Sequence, residues 1–263
     1  MNTLLKKCLA AAVMFGSLLS FSALTPASAA APSDDLKGKN VVLVHGAFTD
    51  GSAWNKVIPL LEAKGLHVVA VQNPLSSLAD DAAATKRVID QQNGPVVLVG
   101  HSWGGVVISQ AGNDDKVKAL VYVAAFAPDS GQSISDMIKD KPAPAWASEL
   151  RKDSAGFLTL STDAVIHQFA QDLPPAQARI VAATQGPWFA GCTDDKVTTA
   201  AWHSKSSWFV VAGRDHMIDP RLQDAMASQI GATVTHVDAS HVAMVSQPKA
   251  VAEAIIAAAS KAE

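Results

Sequence analysis

Short, unbroken apolar runs alternate along the chain with longer stretches whose apolar residues recur every three or four positions. The runs Val41–Val44, His67–Val71, Pro95–Val99, Ala119–Ala124 and Trp208–Ala212, and the β-branched stretch Thr233–Val237, predict strands. Between them, Trp54–Lys64 predicts an amphipathic helix with Val57, Leu60 and Leu61 on one side and Gly65 at its end. Leu78–Gln92 and the stretch around Val106–Ala111 predict two more helices, and Pro248–Ala259 an Ala-rich closing helix. Strands that are apolar without alternation are buried on both faces. Their regular exchange with helices predicts an α/β fold: a mostly parallel sheet of about six strands flanked by helices. In such sheets ligands bind at the carboxyl ends of the strands, so the loops after each strand are where chemistry is sought.

One stretch breaks the rhythm. No strand is predicted between Phe126 and Ser207. That segment contains Pro128, Pro142, Pro144, Pro174, Pro175 and Pro187, with helix-like pieces near Ser133–Lys139, Ala145–Leu150, Ala164–Leu173 and Ala176–Thr184. It reads as a small helical cap inserted after the fourth strand, at about 127–206. A separate small domain is the alternative, against which stands the lack of a core pattern of its own.

Composition narrows the function classes. The 263 residues are 49% hydrophobic and 17% charged, with a formal net charge of −3. No basic stripe is present to neutralise phosphates, so nucleic acid is not an expected partner. The N-terminus adds a compartment. Lys6 and Lys7 precede an apolar stretch from about Leu9 to Leu24, and Ala27-Ser28-Ala29 follows with small residues at the positions a signal peptidase reads. Residues 1–29 are predicted to be a signal peptide, with Ala30 and Ala31 as alternative cut sites. The mature domain is then 30–263, exported to a periplasm or the medium and carrying no membrane anchor; an uncleaved anchor is the competing reading. Of the two cysteines, Cys8 leaves with the signal and Cys192 remains alone, expected to be a packing residue and not a reactive thiol. No CxxC, HExxH or calcium-loop pattern offers a metal ligand set.

The sharpest chemical signal is Gly100-His101-Ser102-Trp103-Gly104, a G-x-S-x-G between a strand and a helix. A serine forced into that turn presents its hydroxyl at the sheet edge, with a helix N-terminus beneath it. A serine needs a base, and the base an orienting acid, in the chain order serine, acid, histidine. His241, in the loop after the last strand, is the expected base, with His236 as rival inside the strand. Asp215, leaving the strand before, is the expected acid; Asp219 and Asp238 are the alternatives, and Asp219 before Pro220 also reads as a helix cap. His216 is read as an exposed loop residue or a substrate contact. Backbone amides of Ala47, or alternatively Phe48, and of Trp103 are the expected oxyanion donors. Phe48, Trp103, Phe126 and Trp188 are candidates for an apolar pocket.

Together these residues resemble the α/β-hydrolase superfamily, and more closely the branch of plant methyl-ester esterases, hydroxynitrile lyases and related bacterial esterases. The likeness rests on Val42-Leu43-Val44-His45-Gly46-Ala47, Gly100–Gly105, Asp215–Pro220, and Ala239-Ser240-His241 with Ser246-Gln247-Pro248. It implies a serine–histidine–aspartate triad, a helical cap, no cofactor and a small-molecule ester substrate. Two departures are informative. The short lead before Val41 leaves no room for the two strands that usually open the superfamily's sheet. Gly46 and Val242 stand where the lyases carry a threonine and a lysine for cyanide chemistry, which favours ester hydrolysis. A lyase, a cofactor-free peroxidase activity on the same site, and a binding protein that keeps the pocket are the remaining readings.

Overall fold

The computed structural model describes residues 36–262. The predicted signal peptide lies outside the described residues. The strands are β1 (Asn40–Val44), β2 (His67–Ala70), β3 (Val96–His101), β4 (Val117–Val123), β5 (Leu150–Lys152), β6 (Phe157–Leu160), β7 (Trp188–Phe189), β8 (Ser206–Ala212) and β9 (Thr233–Val237). The helices are α1 (Ile58–Glu62), α2 (Leu78–Asp90), α3 (Trp103–Ala111), α4 (Ile134–Ile138), α5 (Thr162–Ala164), α6 (Pro175–Thr184), α7 (Pro220–Gln229), α8 (Ala243–Ser246) and α9 (Pro248–Lys261).

Six strands form one sheet in the order β2-β1-β3-β4-β8-β9, and every pairing in it is parallel. β-branched residues dominate β1 and β3, and both strands are buried along their whole length. That burial on both faces is what unbroken apolar runs require. Helices α2 and α3 pack together against β1 and β3, while α9 packs against β3, β4 and β8 and contacts α1. The chain leaves β1 for β2 on one side and returns to β3 on the other. The strand order therefore reverses between β1 and β3, and a crevice opens at their carboxyl ends.

Two expectations are corrected. The helix predicted over Trp54–Lys64 is shorter: a 3-10 turn covers Gly51–Trp54 and α1 begins only at Ile58. Pro59 near its start lacks the N–H that would continue a helix from upstream, and Gly65, with φ +84°, closes it. The segment between β4 and β8 is also not wholly helical. It carries α4, α5, α6 and a π turn at Val165–Phe169, but β5, β6 and β7 build a three-stranded antiparallel sheet. Strands of three, four and two residues are too short to show an alternating pattern. The β5–β6 turn is made locally: Asp153 Oδ1 accepts from the amides of Ala155 and Phe157, each at 2.9 Å, and Gly156 supplies a φ of +92°.

Candidate active site

The loop after β3 places Ser102 at φ 54°, ψ −120°, a region non-glycine residues seldom occupy. The turn is held from three sides. Ser102 N–H donates to the Val123 carbonyl (3.3 Å), and the Ser102 carbonyl accepts from Gly105 (3.0 Å) and Phe126 (3.2 Å). A backbone outlier costs on the order of 1–3 kcal/mol and survives where its surroundings over-determine it. The turn also needs close approach. A Cβ on Gly104 would sit 2.5 Å from the Val44 carbonyl oxygen, and one on Gly46 would sit 2.7 Å from Ser102 Cβ. Both glycines are thus required by contact between the ends of β1 and β3. As first residue of α3, Trp103 has an N–H without a partner inside the helix.

The loops after β8 and β9 bring Asp215 and His241 together. Asp215 Oδ2 lies 2.7 Å from His241 Nδ1, with both side chains almost wholly buried. Asp215 Oδ1 accepts from the amides of Met217 (2.7 Å) and Ile218 (3.1 Å), and Gln223 Nε2 donates to Oδ2 at 2.8 Å. These donors fix the carboxylate as an acceptor towards His241 Nδ1–H and leave Nε2 as the basic nitrogen. Asp219 instead caps α7, accepting from the Arg221 amide (2.9 Å) and pairing with its guanidinium. Asp238 is exposed and pairs with Arg214.

The other histidines near the sheet are committed elsewhere. His236 pairs with Asp224 on the exposed side of β9 (2.8 Å). His216 is exposed, with Nδ1 3.0 Å from Gln168 Oε1. His101 Nε2 lies 2.9 Å from the His241 carbonyl, which only accepts, so that nitrogen carries the proton. His45 Nε2 accepts from the Asn73 amide (2.9 Å), which puts its proton on Nδ1 facing the Gly46 carbonyl. Burial holds both imidazoles below their usual range, His101 well below it.

A cavity of about 770 Å³ opens over these groups. Ala47, Ser102, Trp103 and His241 line it, together with Phe48, Phe126 and Trp188. Phe169, Trp146 and Ile134, all from the segment between β4 and β8, line it as well and were not foreseen. Phe48 sits at φ 59° and meets Phe169 and Trp188 edge-on, with ring centroids 6.4 and 5.9 Å apart. No periodic pattern in the sequence marks Trp146 or Phe169 as cavity residues. Cys192 is buried, and burial pushes its thiol up to about 12, as suits a packing residue.

One buried carboxyl had no sequence signal. Asp81 on α2 accepts from the Trp103 indole (Oδ2, 2.7 Å) and from the Leu75 amide (Oδ1, 2.8 Å). Burial pushes its carboxyl up to about 6, those two hydrogen bonds oppose the rise, and Asp80 and Asp195 add to it. Between the usual value of 3.8 and about 6, the folded protein keeps a proton that the unfolded chain has lost. The stability Asp81 contributes is therefore full below the unfolded value and declines as pH rises through about 6. Asp81→Asn cannot titrate. Urea unfolding is expected to show the variant improving relative to wild type between about pH 4.5 and about pH 7. A difference constant with pH would mean that Asp81 does not titrate in this window.

The chain is similar to known proteins. The sequence profile of the alpha/beta hydrolase family matches residues 41–254. Methylesterase 2 of Arabidopsis thaliana is 33% identical over 168 residues, 54% of this chain and 64% of that protein. Salicylic acid-binding protein 2 of Nicotiana tabacum is 34% identical over 129 residues, 42% of this chain and 50% of that protein. The chain thus spans half to just under two thirds of the length of these two relatives. The crystal structure of a pyrethroid hydrolase from Sphingobium faniae JZ-2 matches with a TM-score of 0.73 at 20% identity, covering 85% of this chain and 98% of that one. At that identity the match speaks for the fold.

Proposed function

The chain belongs to the alpha/beta hydrolase family, and from that premise we propose that it is a carboxylic ester hydrolase acting on small, largely apolar esters. One observation carries the reading. A serine at a strained strand–helix turn opens onto the same cavity as a histidine whose far nitrogen is 2.7 Å from a buried aspartate. The names of the relatives, a methylesterase among them, support the same chemistry.

In this reading Ser102 Oγ attacks the ester carbonyl while His241 Nε2 takes its proton. Asp215 keeps the other imidazole proton on Nδ1 and stabilises the imidazolium. The Ala47 and Trp103 amides receive the oxyanion. Collapse breaks the carbon–oxygen bond of the alcohol, which leaves with the proton from His241. Water then attacks the acyl-serine, again giving its proton to His241, and the acid departs as Ser102 regains its hydrogen. The aromatic walls suit an apolar acyl or alcohol group.

The test is a panel of chromogenic esters and cyanohydrins offered to the wild-type protein. Ester turnover is the expected result. Cyanohydrin cleavage outpacing it would install the lyase reading, and ligand binding without turnover of either would install a binding protein.

Export is part of the proposal. It rests on Lys6 and Lys7, the apolar stretch after them and Ala27-Ser28-Ala29. Mass spectrometry of the protein recovered from outside the cytoplasm is expected to find an N-terminus at or within two residues of Ala30. Recovery only inside the cell, beginning at Met1, would refute it.

A further inference from the structure

The segment between β4 and β8 does more than line the cavity. Within four positions it touches both loops that carry the proposed base and acid. Phe169, at the end of the π turn, sets its ring edge-on to the His241 imidazole, with centroids 5.1 Å apart. Gln171 Nε2 donates to the carbonyl of Arg214, the residue before Asp215, at 2.6 Å. Asp172 Oδ2 accepts from the amide of Ser240, the residue before His241, at 2.8 Å. The π turn prepares this: the Ala170 amide donates to Val165 at 2.8 Å, and the helix stops there with Ala170 at φ −135°, ψ 37°. Single π turns recur at functional sites, where they re-aim side chains.

The geometry points to Asp172, seconded by Gln171, as a positioning residue that holds the His241 loop in register with Asp215 and Ser102 for as long as the inserted segment is docked. This rests on the triad reading above. The need for such a tether follows from the sheet. β9 is its edge strand, largely exposed, so no further strand braces the loop after it, which is otherwise held by the Arg214 amide donating to the Ala239 carbonyl and by His101 Nε2 donating to the His241 carbonyl, each at 2.9 Å. Ser240 is fully buried, and a carboxylate gives its amide a charge-assisted hydrogen bond, about twice as strong as a neutral one. An imidazole that must serve two partners tolerates little drift, since a displacement of about 1 Å costs on the order of 10²-fold in rate.

Two substitutions separate tether from charge and from wall. Asp172→Asn keeps an oxygen for the Ser240 amide and removes the charge; Asp172→Ala removes both. With a chromogenic ester, Asp172→Ala is expected to lower kcat about tenfold with KM changed less than about twofold. Asp172→Asn is expected to stay within about threefold of wild type, with its pH profile of kcat/KM unmoved. The proton shared by His241 and Asp215 gives an NMR signal far downfield, which is expected to broaden or vanish in Asp172→Ala and persist in Asp172→Asn. The proposal is overturned if Asp172→Ala keeps kcat within twofold, if its loss lies in KM alone, or if Asp172→Asn is as impaired as Asp172→Ala. If Asp172→Ala does not fold, Asp172→Glu takes its place: it keeps the charge but shifts the oxygens by one methylene, and an unchanged kcat would again overturn the tether. Should the wild type hydrolyse no ester, the functional reading fails, while the downfield signal still decides whether Asp172 holds His241.

Discussion

Ser102→Ala is expected to lower kcat/KM for every accepted ester by about 10⁴-fold or more, while the protein stays folded. A factor of 10⁴ corresponds to about 5.5 kcal/mol of transition-state stabilisation. The loss is large because the covalent route disappears altogether: without Oγ, His241 can only activate water, and a water molecule is not held at the turn as Ser102 is. The oxyanion amides and the cavity remain, so some acceleration over the uncatalysed reaction should survive. The effect on stability should be small by comparison. Ser102 is 8% exposed, and the residues that impose its backbone, Val123, Gly105 and Phe126, act through main-chain hydrogen bonds that alanine keeps. Matched unfolding curves with a collapsed rate would therefore separate chemistry from folding. Activity within tenfold of wild type would remove Ser102 from the mechanism and the serine-hydrolase reading with it.

What the sequence revealed and what it hid follow from the range of the forces involved. The four inner strands were legible because burial on both faces writes a largely apolar run into each, and the two edge strands, β2 and β9, because they are rich in β-branched residues. Gly100–Gly104 was legible because the turn demands glycine at fixed offsets from the serine. His241 and Asp215 were candidates from their places after β9 and β8, while the contact between the Asp215 carboxylate and the imidazole, and the capping of α7 by Asp219, are not written in the sequence. The three strands of the insertion were hidden because strands of two to four residues carry no readable alternation and are held by a few cross-strand contacts. Asp81, Gln171 and Asp172 were hidden for a different reason. Each bonds to a partner far away in sequence, and such a bond leaves no periodicity and no spacing rule behind.

The second large effect divides the two aspartates that the sequence left in competition. Asp215→Asn is expected to cost about 10⁴-fold in kcat, whereas Asp219→Asn should stay within about threefold of wild type. The asymmetry comes from donors and acceptors. Oδ1 of residue 215 is claimed by the amides of Met217 and Ile218, so an asparagine keeps its oxygen there and turns its NH₂ towards His241. A donor facing Nδ1 drives the imidazole proton to Nε2, which can then no longer accept from Ser102. The new NH₂ also confronts Gln223 Nε2. That amide cannot flip without losing its bonds to the Ala212 N–H (3.0 Å) and the Ile218 carbonyl (2.8 Å). A stability loss of about 1–3 kcal/mol should therefore accompany the rate loss, readable as a lower urea midpoint. At position 219 none of this applies. The side chain accepts from the Arg221 amide at the start of α7, and asparagine caps a helix about as well as aspartate. What is lost is the pairing with the Arg221 guanidinium, an exposed contact worth little. Steady-state kinetics on the two purified variants decide the matter. If Asp219→Asn is the inactive one, the acid has been assigned to the wrong side of the loop, and the 2.7 Å contact between Asp215 and His241 is structural.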